Sequence, residues 1–228
     1  MLEQLLAWDK FIFSFLNSFH SEFFDNFFWI VTQKETWIPL YIAILYIIIR
    51  TKRKEATWII LGLIVTIVLA DQLSSSLIKP LVERLRPSRD STLSGLIHLV
   101  NGYTGGKYGF VSSHAANSFA LALYSSLLFR NKPYTIFIFI WALINAYSRI
   151  YIGVHFPLDI IGGAAIGFIS VGIVYCLLNK YQPVIFKPNK YKPKSKRRFW
   201  NTEKLILLVI ELSFLVIFGV AFAKITIL

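Results

Sequence analysis

Long apolar runs separated by short charged segments set the character of this chain. Runs at 56–78, 133–148 (reaching about 152), 158–178 and 205–223 approach the ~20 apolar residues that carry an α-helix across a bilayer. A shorter run at 115–129 can begin near Ser112. The shortest, 37–49, gains the aromatic stretch 23–31 except where Lys34 and Glu35 interrupt. The pattern predicts an all-α, polytopic membrane bundle of about six transmembrane helices. Residues 1–22 differ, because Leu2, Leu5, Leu6, Phe11, Phe13, Leu16 and Phe19 are spread among polar groups. That predicts an amphipathic helix lying in the membrane interface rather than crossing it. Within the fifth run Gly163 and Gly167 stand four apart, a spacing that lets helices pack closely.

Composition agrees with a membrane protein. Apolar residues make up 56% of the chain and charged residues 16%, against roughly 25% charged in an average soluble domain. The net charge of +12 would suit a nucleic-acid binder if the cations formed one surface. Instead they gather between the apolar runs. Three connections, 50–54, 130–132 and 179–201, hold fourteen of the 24 Lys and Arg residues. Such alternate enrichment places them on the cytoplasmic side. The last of them, rich in lysine and broken by prolines, reads as a flexible strap against anionic lipid. The connections 79–113 and 151–157 then lie outside. The single cysteine, Cys176, sits in an apolar run and reads as a small buried residue. No Cys/His cluster suggests structural zinc, and the first 20 residues lack the features of a cleavable signal.

Three motifs fall on the outward side. The first runs from Lys79 to Pro87. Lys79 and Arg86 are seven apart and share a face if the segment stays helical until Pro87 ends it. A compact ammonium and a planar guanidinium suit a phosphate group. The second is Phe110-Val111-Ser112-Ser113-His114-Ala115, which follows a loop holding Gly102, Gly105, Gly106 and Gly109 and opens a helix. Hydroxyls and free backbone N–H groups there make an anion site, and the histidine can exchange protons. The third includes Ser148, Arg149, His155, Pro157 and Asp159. Asp159 can reach back one turn to hold one His155 nitrogen protonated, leaving the other as a nucleophile. Each motif has a bland alternative: a basic membrane boundary, a helix cap, a structural His–Asp pair. Their shared outward position favours one site.

At these residues the chain resembles the type-2 phosphatidic acid phosphatase family, whose fold is shared with vanadium haloperoxidases. The family pattern Lys-x6-Arg-Pro matches Lys79 and Arg86-Pro87. Its Ser-Arg-x5-His-x3-Asp matches Ser148, Arg149, His155 and Asp159. Its Pro-Ser-Gly-His is kept at Ser112 and His114, with Val111 and Ser113 in place of proline and glycine. The resemblance spans about residues 56–180. It implies that His155 attacks phosphorus, Asp159 orients its ring, and His114 protonates the leaving oxygen and then activates water. It also implies that Lys79, Arg86, Arg149, Ser112 and Ser113 hold the phosphoryl oxygens without a metal or other cofactor. The expected layout is one domain: an interfacial segment 1–36, a catalytic core 56–180, a basic cytoplasmic strap 179–202 and a last span 203–228.

The expected function is therefore a metal-independent lipid phosphatase or diphosphatase in the cell (inner) membrane, with its site on the extracytoplasmic face. Small size and short loops most resemble bacterial undecaprenyl-diphosphate phosphatases. Phosphatidate, phosphatidylglycerophosphate and lipid A phosphatases are the alternatives within the family. A zinc enzyme built on His114, His155 and Asp159 lacks an acidic pair or a His-Glu-x-x-His signature. A transporter or flippase is the rival of another class, but it has no need of a nucleophile beside three cations. The expected partners are the lipid substrate and the bilayer, with no nucleic acid and no obligate protein partner. Asp71 and Glu211, acids within apolar runs, are lesser functional suspects. His20 and His98 carry no assigned role.

Overall fold

The computed structural model describes residues 1–186 and 196–226, and the side chains of 1–186 and 204–224. Its α-helices are α1 (Leu2–Asn17), α2 (Glu22–Val31), α3 (Ile38–Lys52), α4 (Ala56–Gln72), α5 (Lys79–Val82), α6 (Ser113–Phe129), α7 (Lys132–Tyr151), α8 (Pro157–Tyr181) and α9 (Lys196–Thr226). A wider π-turn, Leu73–Ile78, carries α4 into α5. Among the described residues there is no β-strand, only an isolated bridge between Leu85 and Tyr108. Of the basic strap expected at 179–202, residues 187–195 lie outside the described residues, and α9 begins at Lys196.

Local chemistry sets the helix ends. The Ser112 hydroxyl accepts from the Ala115 N–H at the start of α6, a usual N-cap. Arg130 ends α6 in the left-handed region (φ +50°). Asn131 then caps α7 by accepting from the Tyr134 N–H at 2.9 Å. Pro157 opens α8, where its missing N–H costs nothing.

The central helix is α6, packed between α4, α7 and α8. It is buried on nearly all sides and built largely of Ala, Ser and Leu. Two α8 glycines set its distance. A Cβ on Gly163 would collide with the Ser112 carbonyl, and one on Gly167 with the Ala116 carbonyl. The α8 backbone therefore lies directly against that of α6, which brings the starts of both helices together.

Among the described residues, three stretches are long and apolar enough to cross a membrane: Ala56–Val82, Pro157–Tyr181 and Lys204–Lys224. Their outward faces carry exposed apolar side chains such as Leu61, Val65, Ile169, Leu177, Leu215 and Phe222, the inverse of a soluble protein and the mark of a lipid-facing surface. The other three expected spans fall short on that measure. Helix α3 has 15 residues, about 22 Å at ~1.5 Å per residue, against the ~30 Å hydrocarbon core. Helix α6, with 17 residues, is screened by its neighbours and needs no lipophilic surface. Helix α7 carries Asn145, Ser148 and Arg149 into the interior.

One expectation is corrected here: Cys176 is exposed on the outer face of α8 rather than buried. Within the 1–36 segment, α2 places Phe27 and Val31 in the main core. Helix α1 keeps an apolar outer face (Leu5, Trp8, Phe11, Phe15), yet it buries Asp9, Phe13 and Asn17. Those three positions, four apart, form one helical stripe facing the ends of α7 and α8.

Gly167→Ala is expected to push α6 from α8 and lower stability by about 1–3 kcal/mol, the usual cost of overpacking. Gly172→Ala, whose added atom meets nothing within 4 Å, should leave the detergent melting temperature unchanged.

Candidate active site

The functional candidates meet where α4–α5 and α7 end and α6 and α8 begin. The basic connections lie at the other end. Lys52, the last residue of α3, donates to the Ile185 carbonyl beyond α8 at 3.2 Å, and Arg130 lies close enough to Lys52 to repel its charge.

Lys79 and Arg86 do not share a continuous helix. Glu83 turns left-handed (φ +51°) and ends α5, while Pro87 opens a single 3-10 turn instead of closing a helix. The chain from Arg84 to Arg86 pairs instead with the glycine-rich loop. Gly109 N–H donates to the Arg84 carbonyl at 2.8 Å, and Arg86 N–H to the Lys107 carbonyl at 3.3 Å. Two glycines let that loop lie over the site. A Cβ on Gly105, which has φ +64°, would sit 2.9 Å from Arg86 Nη1, and one on Gly109 would sit 2.8 Å from Asp159 Oδ2. Arg86 is pinned by donating from Nε to the Tyr108 carbonyl (3.1 Å) and from Nη1 to the Val154 carbonyl (3.4 Å).

His155 occupies the connection between α7 and α8 and is 2% exposed. Its two ring nitrogens have different partners. Nδ1 lies 3.2 Å from Asp159 Oδ2, and Nε2 lies 3.2 Å from Arg86 Nη1. A guanidinium only donates and a carboxylate only accepts. The proton therefore resides on Nδ1, and the Nε2 lone pair faces the cation. Burial, followed by the charges of Arg86, Arg149 and Lys79, holds the imidazole pKa well below its ordinary value. The ring is neutral, as a nucleophile must be.

The remaining expected residues divide. Lys79 donates to Ser113 Oγ at 2.6 Å, and Ser113 also hydrogen-bonds Ser75 at 2.8 Å. Ser112 is different: it is 0% exposed, its hydroxyl caps α6, and its backbone N–H donates to the Asp159 carbonyl at 2.9 Å. Its expected role on phosphate does not match that position; of the two hydroxyls, Ser113 faces the cavity. Arg149, 4% exposed, donates to Thr32 Oγ1 at 2.7 Å. Its Nε is buried and without a hydrogen-bond partner in the described structure, an unmet donor that suits an anionic oxygen.

Lys79, Arg86, Ser113, His114, Arg149 and His155 line one cavity of about 760 Å³. Its other end is apolar, walled by Ile44, Leu63, Ile67, Leu121 and Trp141. Asp71 lines the same cavity and accepts from Asn117 at 3.4 Å. Glu211 lies on the exposed face of α9, away from it.

Several residues at the site were not picked out by their sequence pattern. Tyr103 stands at the cavity with its ring 5.8 Å from the Arg149 guanidinium carbon. Arg84, inside the first motif, donates to Asp159 Oδ1 at 3.0 Å and to Asp9 Oδ2 at 2.6 Å. The acid–base pattern of α1 gave no reason to single out Asp9.

Such a constellation, a neutral histidine lone pair among fixed cations at the end of a bundle of apolar helices, suits the binding of a phosphate group. Residues 56–183 match the model of the PAP2 superfamily, and the chain belongs to that family. It is 41% identical to the lipid A 4'-phosphatase of Bacteroides thetaiotaomicron over 182 residues, covering 79% of this chain and 81% of that protein. It is 42% identical to the lipid A 4'-phosphatase of Porphyromonas gingivalis over 175 residues, 76% of this chain and 74% of that one. Among solved structures, Aquifex aeolicus LpxE superposes with a TM-score of 0.58 at 26% identity, covering 72% of this chain and 93% of its own. A PAP2-type phosphatidylglycerolphosphate phosphatase from Bacillus subtilis superposes at 0.59 and 19% identity, covering 79% and 89%, and shares the fold. The protein is a lipid phosphatase of the type-2 phosphatidic acid phosphatase kind.

Two expected outcomes follow from the geometry. Ser112→Ala, which removes a cap, should cost about 1 kcal/mol of stability with KM unchanged, whereas Ser113→Ala should raise KM; thermal melts and steady-state kinetics separate them. In the unfolded chain the histidine protonates below its ordinary pKa of 6.5, but folded His155 resists this. Its stability contribution is complete above that pH and is lost as pH falls toward the lower folded value. Melting temperature should therefore fall on acidification, and His155→Gln should flatten that slope.

Proposed function

We propose that the protein hydrolyses the phosphate monoester of a lipid such as lipid A, at its 4' position, through a phosphohistidine on His155. The observation that carries this reading is the His155 Nε2 lone pair beside Arg86, in a cavity with cations at one end and apolar walls at the other. The first suits a phosphoryl group and the second an acyl chain.

In the first step Nε2 attacks phosphorus and the bond to the lipid oxygen breaks, while His114 donates a proton to that oxygen. The phosphorylated ring keeps its Nδ1 proton and is cationic, and the Asp159 carboxylate balances it. In the second, water gives a proton to neutral His114 and attacks phosphorus. The Nε2–phosphorus bond breaks, and inorganic phosphate leaves. Lys79, Arg86 and Arg149 hold the oxygens on which charge builds, the main contribution a protein makes to phosphoryl transfer. These three cations supply the positive charge that neutralises the phosphate in this reading.

The expectation of undecaprenyl diphosphate rests on small size and short loops, which leave the headgroup open. The two relatives above 40% identity are lipid A 4'-phosphatases, which favours lipid A. In this reading α3, α6 and α7 complete six crossings of the inner membrane, and the charge of the basic connections supports a site on the extracytoplasmic face.

Purified protein should release phosphate from lipid A without loss in EDTA, and more slowly from undecaprenyl diphosphate, phosphatidate and phosphatidylglycerophosphate. Loss on chelation with recovery in zinc would overturn the mechanism. His155→Ala should be inactive on every substrate. His114→Ala should lose roughly 10²–10⁴-fold on lipid, yet show a burst with an aryl phosphate whose leaving group needs no proton. Trapped phosphate should map to His155. With Cys176 replaced, a cysteine at Asn101 should react with an impermeant thiol reagent once the outer membrane is opened. Labelling only in the 179–202 strap would invert the topology.

A further inference from the structure

Asp9 lies outside residues 56–183 matched by the family, yet it is 3% exposed and its side chain is fully engaged. Oδ2 accepts from Arg84 Nη2 at 2.6 Å, and Oδ1 accepts from the Leu158 N–H in the first turn of α8 at 2.9 Å. Arg84 continues the chain, its other amino group donating to Asp159 Oδ1 at 3.0 Å. Asp159 Oδ2 in turn takes the Phe156 N–H at 3.0 Å and faces His155 Nδ1 at 3.2 Å. The Arg84 guanidinium carbon sits over the Phe156 ring, 4.2 Å from its centroid. That ring meets Phe13 of α1 edge-on at 5.2 Å.

We propose that Asp9 is a positioning residue for catalysis, acting through Arg84 and Asp159 on the His155 ring. The inference rests on the phosphohistidine reading above and extends it to α1.

Charge balance shows why a second acid is useful. A lone arginine on Asp159 would neutralise the carboxylate that has to balance a cationic phosphoimidazole. With Asp9 on its far side, Arg84 is shared between two acids, and the three groups keep a net charge of −1 for the ring. Geometry matters as well. Asp159 can aim Oδ2 at Nδ1 only if Oδ1 is held, and Arg84 is the group that holds it. A surface pair would be worth little. Here Asp9 and Asp159 are buried and the Arg84 side chain is 16% exposed, so a missing partner leaves a buried charge unmet.

Asp9→Asn keeps the size and an acceptor for Leu158 but removes the charge that holds Arg84. It should lower kcat by roughly 10–100-fold, the worth of one hydrogen bond to a charged group, with KM for the lipid unchanged. In an Asp159→Asn background the same change should cost nothing further, because the path to His155 is already cut. Lys10→Ala breaks the bond from α1 to Asp90 (2.7 Å) without touching the line, and should keep full kcat. Arg84→Gln carries the same cycle if Asp9→Asn yields no folded protein. Equal losses from Asp9→Asn in both backgrounds, or a loss in Lys10→Ala as large, would reduce α1 to a docking element and overturn the proposal. Full kcat in Asp9→Asn with an inactive His155→Ala would overturn it while leaving the phosphohistidine intact. An active His155→Ala would instead remove the reading beneath it.

Discussion

Burying a carboxylate beside an imidazole is the constraint around which this protein is organised. Asp159 is wholly inaccessible, and an ionised carboxylate out of water is tolerated only when its oxygens are matched. Three donors meet it: the Phe156 N–H, Arg84 and the His155 ring. Each demands something of the fold. The backbone donor requires α8 to start at Pro157. The ring requires a tight link from α7 to α8. Arg84 requires a strand-like segment to leave the end of α5 and lie against the glycine loop. The cost of these buried charges is therefore met by elements from four parts of the chain.

The same arrangement explains the chemistry and its place in the bilayer. Fixing the proton on Nδ1 turns Nε2 toward the cations, so the proposed nucleophile and the groups proposed to hold phosphate are oriented by one set of bonds. Close contact of α6 and α8 at Gly163 and Gly167 brings His114 and Ser113 to the cavity edge while Asp159 stays behind it. Beneath the charged end the cavity turns apolar between α3, α4 and α7. A lipid can thus present its phosphate to the cations while its chains remain among side chains no more polar than the membrane.

Much of this was legible from local pattern. Apolar runs marked every long helix, because a helix facing lipid must be apolar along its length. Helix α6 shows only a short apolar run because it is packed against protein on nearly all sides, where small residues serve better than lipophilic ones. The motif residues Lys79, Arg86, His114, Arg149 and His155 do meet at one cavity, with Asp159 behind His155, and their types were legible because phosphate chemistry would restrict each. The helical register argued for Lys79 and Arg86 did not hold. Glu83 leaves the helix for a left-handed turn, and only the opposing loop makes the extended course of Arg84–Arg86 favourable.

Sequence alone determined the class of helix, the likeness to a phosphatase family and which polar side chains were candidates for the site, since these depend on residue type and on neighbours a few positions away. The basic connections also indicated an orientation by the same local means. Tertiary structure decided which of two adjacent serines faces the cavity, which nitrogen of His155 carries the proton, and how Arg84 is used. It also decided that α1 reaches the site. The bonds responsible join residues far apart, 75 positions between Asp9 and Arg84 and 149 between Asp9 and Leu158. No periodicity records such pairings. They exist because folding removes water from these charges and leaves each only the partners that the packed helices bring within reach.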